Sequence, residues 1–173
     1  RSSWSHTLIF IIIFSAISTM LLPVFFNEKL VALELIIGEF FKNTQQYEEN
    51  FIIGRSFLLG VASYVVALTS IVSLILGRWW QAMLYNPGGF KSEFHQLRFS
   101  TTFSVIILAV MLTCEYLLKD FTSWTSLLGL PLMLSGIALL HYGVALFQLG
   151  SYWLVTFYLA LLFLSPLSIM LVG

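Results

Sequence analysis

Charge is what this chain has least of. Lys, Arg, Asp and Glu together make up 9% of its 173 residues, where a soluble domain carries roughly 25%. That shortage excludes an ordinary water-soluble domain and points to a chain whose solvent is mostly lipid. Eight basic residues stand against eight acidic ones, so there is no basic footprint and no nucleic-acid partner is expected. Cysteine is nearly missing too. The lone Cys114 lies in an apolar run, which excludes an internal disulfide. Also absent are a phosphate-cradling GxxxxGK[ST] loop, an HExxH zinc helix, a GxSxG nucleophile turn and a CxxC pair. Without those minimum parts, no enzyme activity, no cofactor and no metal centre is expected.

What is present is hydrocarbon. Hydrophobic residues make up 59% of the chain and mean hydropathy is +0.95. A membrane-crossing helix needs roughly 20 mostly apolar residues, since each adds about 1.5 Å against about 30 Å of hydrocarbon. Five segments meet that requirement, at 7–26, 51–76, 99–118, 124–147 and 152–172. Lipid offers no partners to an open strand's backbone, so each is expected to be a helix. Pro23 and Pro166 fall near the ends of their segments, where they kink or stop a helix. The fold expected is an all-α polytopic bundle, a single transmembrane domain over residues 1–173, read as the C-terminal part of a longer chain.

The connections differ. Gln148–Ser151 and Lys119–Ser123 are tight, which fixes the last three segments as up-down-up neighbours. The link from Asn27 to Asn50 holds Glu28, Glu34, Glu39, Glu48 and Glu49 against Lys29 and Lys42. Within it Leu30, Leu33, Ile37 and Phe40 recur at helical spacing, as in an amphipathic helix lying along the interface. The link from Arg78 to Arg98 contains the turn Asn86-Pro87-Gly88-Gly89. After that turn, Phe90, Phe94 and Leu97 share one face, opposite Lys91, Glu93, His95 and Arg98. A second short surface helix follows, its apolar side expected in the acyl boundary. Trp79, Trp80 and Tyr85 fit an aromatic belt. Basic residues divide almost evenly between the two sides and leave the orientation open.

Polar groups inside the segments are costly and each is weighed as a site. Arg55, about a turn inside its segment, reads as a snorkelling side chain. Glu115 reads as reaching headgroup water or pairing with Lys119. His141 lies deeper. Folding back about Gln148–Ser151 puts Tyr158 at its depth, and folding about Lys119–Ser123 brings Thr101, Thr102 and Ser104 there. Two readings stay open for His141: a neutral imidazole bonded to Tyr158 or a hydroxyl, and a ligand-binding or proton-relay group. Gly129, Gly136, Gly143 and Gly150 recur every seventh residue, and Gly60, Ser63, Ala67 and Ser70 line one face of the second segment. Both are expected to be helix-packing stripes.

Arg78-Trp79-Trp80-Gln81-Ala82, then Leu84-Tyr85-Asn86-Pro87-Gly88-Gly89-Phe90 and Glu93-Phe94-His95-Gln96-Leu97-Arg98, resembles the YybS-like family of bacterial inner-membrane proteins. His141 within Leu139-Leu140-His141-Tyr142-Gly143 resembles the histidine-bearing late helix of the same proteins. The resemblance implies a multi-pass protein of the bacterial inner (cytoplasmic) membrane. That family is in turn distantly similar to substrate-binding subunits of energy-coupling-factor transporters, which implies a small-molecule-binding or transport subunit with a coupling subunit as partner. Ligand-binding candidates on this view are His141, Tyr158, Thr102 and Ser104, with Tyr152, Trp153 and Phe157 walling an apolar pocket. The alternative is a structural or assembly protein, in which Arg78, Trp79, Trp80, Lys91, His95 and Arg98 hold lipid headgroups or a neighbouring protein.

Overall fold

The computed structural model describes residues 4–43, 54–118 and 121–172, without the side chains of residues 41–43, 162 and 164–172. Glu48, Glu49, Lys119, Asp120 and the side chains of Lys42 and Pro166 therefore fall outside the described residues. Seven helices follow in order: α1 (Trp4–Met20), α2 (Leu22–Asn43), α3 (Arg55–Tyr85), α4 (Gly89–Phe94), α5 (Thr101–Tyr116), α6 (Thr122–Leu146) and α7 (Tyr152–Val172). No strand occurs among the described residues.

α3 is the central element and packs most extensively against α1 and α6, while α5 and α7 flank α6. The core is a thin seam rather than a globular interior. Leu8 and Ile12 of α1, Ala67 and Ile71 of α3, and Leu127, Leu130, Leu134 and Ala138 of α6 are buried together. Elsewhere the surface is hydrocarbon: Phe10, Val24, Leu139 and Phe147 are each at least two-thirds exposed, at 67%, 73%, 69% and 72%. Continuous exposure of large apolar side chains has no place in water, and it suits a molecule surrounded by lipid.

Helix lengths refine the expected spans. α3, with 31 residues, and α6, with 25, are each long and apolar enough to cross a membrane. α1 and α2 qualify together, but they meet at a bend of 63°. The expected segment 7–26 is interrupted at Leu21, with Pro23 in the first turn of α2, and α2 is kinked again at Phe26 (φ −132°, ψ 30°), the expected end of that segment. α5 is shorter than expected at 16 residues, because Ser100 caps it by accepting a bond from the Phe103 N–H at 3.3 Å. At about 1.5 Å per residue it reaches about 24 Å, short of about 30 Å of hydrocarbon. In α7 the stretch Tyr152–Leu161, before the first residue without a described side chain, is likewise a shorter apolar helix.

Two expectations change. The Arg78–Arg98 segment is not one loop: α3 continues unbroken through Arg78, Trp79 and Trp80 to Tyr85, and the turn begins only at Asn86. Nothing before Asn86-Pro87 forbids a helix, so the chain stays helical. Gly88 then takes a left-handed backbone, φ 87°, and launches α4. Arg55 is the first residue of α3, not a turn inside it, and its Nε bonds Glu34 Oε1 at 3.1 Å, tying α2 to α3.

The two small-residue stripes part company. On α3, Gly60, Ser63 and Ala67 are all buried. A Cβ on Gly60 would lie 2.2 Å from Ser123 Oγ and 3.1 Å from Trp124 Cδ1. On α6, the space beside Gly136 and Gly143 is open, Gly129 meets only a Met111 methyl at ordinary contact, and Gly150 faces the Tyr152 ring two residues on. Close helix approach therefore occurs at Gly60, and among the described residues no helix seats on the seven-residue stripe. A seven-residue repeat drifts only about 20° per repeat on a straight helix, so Gly129, Gly136 and Gly143 share one broad side of α6; what that side lacks is a closely seated neighbour.

Candidate functional site

Five helix termini meet the short helix α4 at one end of the bundle: the starts of α1, α5 and α7 and the ends of α3 and α6. Glu93, on α4, is the node. Its carboxylate accepts two bonds from Arg78 Nη2, at 2.5 Å and 2.7 Å, and a third from Trp4 Nε1 at 3.4 Å. Arg78 also donates to Gln81 Oε1 at 2.5 Å, one turn along α3. Ser5 Oγ donates to the Arg98 carbonyl at 2.9 Å. One acidic side chain thereby binds the ends of α1 and α3 to α4. Both bonds come from one guanidinium nitrogen while Nη1 is held by Gln81, and each is a charge-assisted hydrogen bond.

Aromatic contacts carry the chain of interactions onward. Trp4 meets the Phe90 ring edge-on at 6.0 Å, and Phe90 stacks on Phe94 at 5.7 Å. Phe94 meets the His141 ring edge-on at 5.7 Å, while His95 meets Tyr142 at 5.9 Å. Leu97 is buried, and Phe90 and Phe94 are half-buried. The apolar side of α4 thus lies against the protein, not in the acyl boundary, while Lys91 and Arg98 are exposed. Burial, and then the Lys91 ammonium, pull the His95 imidazole below its ordinary range.

His141 Nε2 is 2.9 Å from the Tyr158 hydroxyl, so the residue that the fold-back of the Gln148–Ser151 turn sets at its depth is its hydrogen-bond partner. Among the described residues, its ring and hydrogen-bond partners are Phe94 and Tyr158. Thr101 and Thr102 are exposed in the first turn of α5, and Ser104 donates its backbone N–H to the Ser100 carbonyl at 3.0 Å. The expected gathering of Thr102 and Ser104 with His141 is not seen in those partners. Trp79, Trp80 and Tyr85, at 46%, 66% and 83% exposure, point away from the bundle on the last turns of α3.

Beside this junction, a cleft of about 480 Å³ opens between α6 and α7. Leu139, Leu140, Gly143 and Phe147 supply one wall, Trp153 and Phe157 the other. The α6 residues follow an i, i+1, i+4, i+8 pattern, which defines one helix face. His141 and Tyr158 are not on that lining, and their hydrogen bond closes the helix pair beside it. Of the four aromatics expected to wall a pocket, Trp153 and Phe157 do so. Tyr158 turns to His141, and Tyr152 packs beside Trp153 at 5.9 Å. Thr156 is the one hydroxyl residue on the lining, and it donates to the Tyr152 carbonyl at 2.9 Å.

The sequence carried no signal for Trp4 and Glu93 as partners, which lie 89 positions apart. Trp153 and Phe157 on the α7 side of the cleft were readable as pocket aromatics, whereas the α6 wall was not singled out in the sequence. Among the described residues no three of His, Cys, Asp and Glu gather as a metal-binding group. No protein-family model, curated protein or solved structure matches the chain. The fold and the site define an all-helical protein whose apolar helices suit a membrane.

Proposed function

We propose that the chain is a multi-pass protein of the bacterial inner membrane, YybS-like, that serves as a small-molecule-binding or transport subunit. The observation that carries this reading is the α6–α7 cleft, whose volume of about 480 Å³ falls within the roughly 300–1,000 Å³ typical of ligand sites. In this reading α1, α3, α5, α6 and α7 make five crossings, and α2 lies near the interface after its bend from α1. The exposed residues of α3 beyond Arg78 set an aromatic belt at the waterline. Ligand recognition then belongs to the cleft, with His141 and Tyr158 as the clasp that sets the spacing of its walls.

The test is thermal stabilisation of the detergent-purified, folded protein by a panel of vitamins, transition metals and compact neutral apolar molecules. Stabilisation by a neutral apolar member supports the reading, and a flat response across the panel removes it. Cysteine-accessibility mapping on a Cys114→Ser background tests the topology. Residues 86–98 should label from one side and residues near Glu34 and Arg55 from the other.

A second reading, a structural or assembly protein, draws support from the exposure of Trp79, Trp80, Lys91 and Arg98 at one end. Crosslinkers placed at those residues would then recover one consistent neighbouring protein or lipid.

A further inference from the structure

We infer that the α6–α7 cleft holds one hydrocarbon tail of a bilayer phospholipid, taken laterally from the leaflet at the Gln148–Ser151 end. The inference rests on the binding reading above and names its ligand class.

Charge supplies the first argument. From Phe121 to Gly173 the sequence has no Lys, Arg, Asp or Glu, so no residue lining the walls has a formal charge with which to recognise an ionic ligand. Polarity supplies the second. Thr156 already spends its hydroxyl proton on the Tyr152 carbonyl, and the walls are otherwise Leu139, Leu140, Gly143, Phe147, Trp153 and Phe157 with their apolar neighbours. A ligand with polar atoms buried here would lose water and gain little, at a cost a hydrocarbon chain does not incur.

Dimension and access complete the case. Leu139 to Phe147 covers about 12 Å of helix at about 1.5 Å per residue, close to the roughly 15 Å of hydrocarbon in one leaflet. The cleft thus starts at the α6–α7 turn and runs inward along α6 as far as Leu139. Leu139, Phe147 and Trp153 are 69%, 72% and 51% exposed, so the opening faces the side from which lipid would arrive. Gly143 leaves the floor open, with nothing within 4 Å of where its Cβ would be. Recognition is by shape and apolarity, and the headgroup stays outside.

The test uses the whole chain in phosphatidylcholine vesicles that carry a trace phospholipid with a photoactivatable group midway along one acyl chain. Labelled peptides are mapped by mass spectrometry. The expected result is labelling concentrated on residues 139–147 and 153–160, about tenfold above the exposed face of α5 at Val105, Leu108 and Leu112. A phosphatidylglycerol probe should label to the same extent as phosphatidylcholine. Gly143→Leu and Ala160→Phe should remove the enrichment, and Gly136→Leu, off the lining, should keep it.

Even labelling of α5, α6 and α7 overturns the inference, and so does a strong preference for the anionic probe. If the filling variants do not fold, the distribution on the unaltered chain decides alone. Even labelling combined with thermal stabilisation by a compact neutral molecule removes the lipid tail but leaves the binding reading. Even labelling with a flat thermal panel removes both.

Discussion

Trp124 donates its indole N–H to the carbonyl of Ser56 at 3.2 Å, and its ring edge covers Gly60 one turn further along α3. This contact joins α6 to α3 at the end of the bundle opposite α4. It works only because Gly60 has no side chain.

Gly60→Leu should therefore force α3 and α6 apart. Overpacking of this kind costs about 1–3 kcal/mol. The expected outcome is a clear drop in thermal stability of the detergent-purified protein. Gly136→Leu, which has open space, should leave the midpoint nearly unchanged. Equal effects at the two positions would contradict the packing described.

Glu93→Gln keeps the shape of the side chain and removes the charge that Arg78 meets with two bonds. Both partners are more than a third exposed, at 39% and 38%, so the loss in global stability is only about 0.5–1 kcal/mol. Local effects should be larger. Amide exchange in residues 89–98 should speed up while α6 stays protected, because Glu93 holds α4 to α1 and α3. Unchanged exchange in α4 would show that its aromatic contacts suffice.

His95 offers a pH readout outside the apolar spans. Its pKa is lowered from 6.5 by burial and then by Lys91. The folded chain therefore takes up this proton less readily than the unfolded one. The stabilisation is complete above 6.5 and is lost as pH falls through the lower folded value. An NMR titration of the His95 ring should give a midpoint below 6.5, and Lys91→Gln should move it upward. A midpoint at or above the ordinary value would remove this account.

Tyr158→Phe deletes the hydroxyl bonded to His141 and leaves the ring. Interhelical hydrogen bonds in membranes average about 0.6 kcal/mol, so the global effect should be small. α7 contacts the rest of the bundle mainly through α6, so exchange in its first three turns should rise. Spin labels at positions 146 and 161 should report a broader distance distribution in the variant than in the parent chain.

The sequence made the helical class and most helix centres legible, because long uncharged runs have one solution in lipid. The His141–Tyr158 pairing was legible for a local reason: a four-residue turn leaves two helices little choice of register. The extension of α3 through Trp79 and Trp80 was not. Aromatic and basic side chains resemble a loop in composition, although no helix breaker stands among them until Asn86-Pro87. The role of Glu93 was hidden altogether, since its partners Trp4 and Arg78 are brought to it by tertiary packing. The glycine repeat of α6 was legible as a stripe, but not whether a neighbour would seat on it, whereas Gly60, read with Ser63, Ala67 and Ser70 as a packing face, carries the closest approach.

The length of α3 has a mechanical consequence. Thirty-one residues make a rod of about 46 Å, well beyond the hydrocarbon thickness of any ordinary bilayer. The surplus must either protrude or lean. Because Arg78 grips Glu93 near the far end of that rod, any lean is levered into α4 and from there to the rings resting on His141 and Tyr142. A thinner bilayer would incline the rod and shift α4 with it, so the composition of the surrounding lipid reaches the polar end of the protein through a single stiff member.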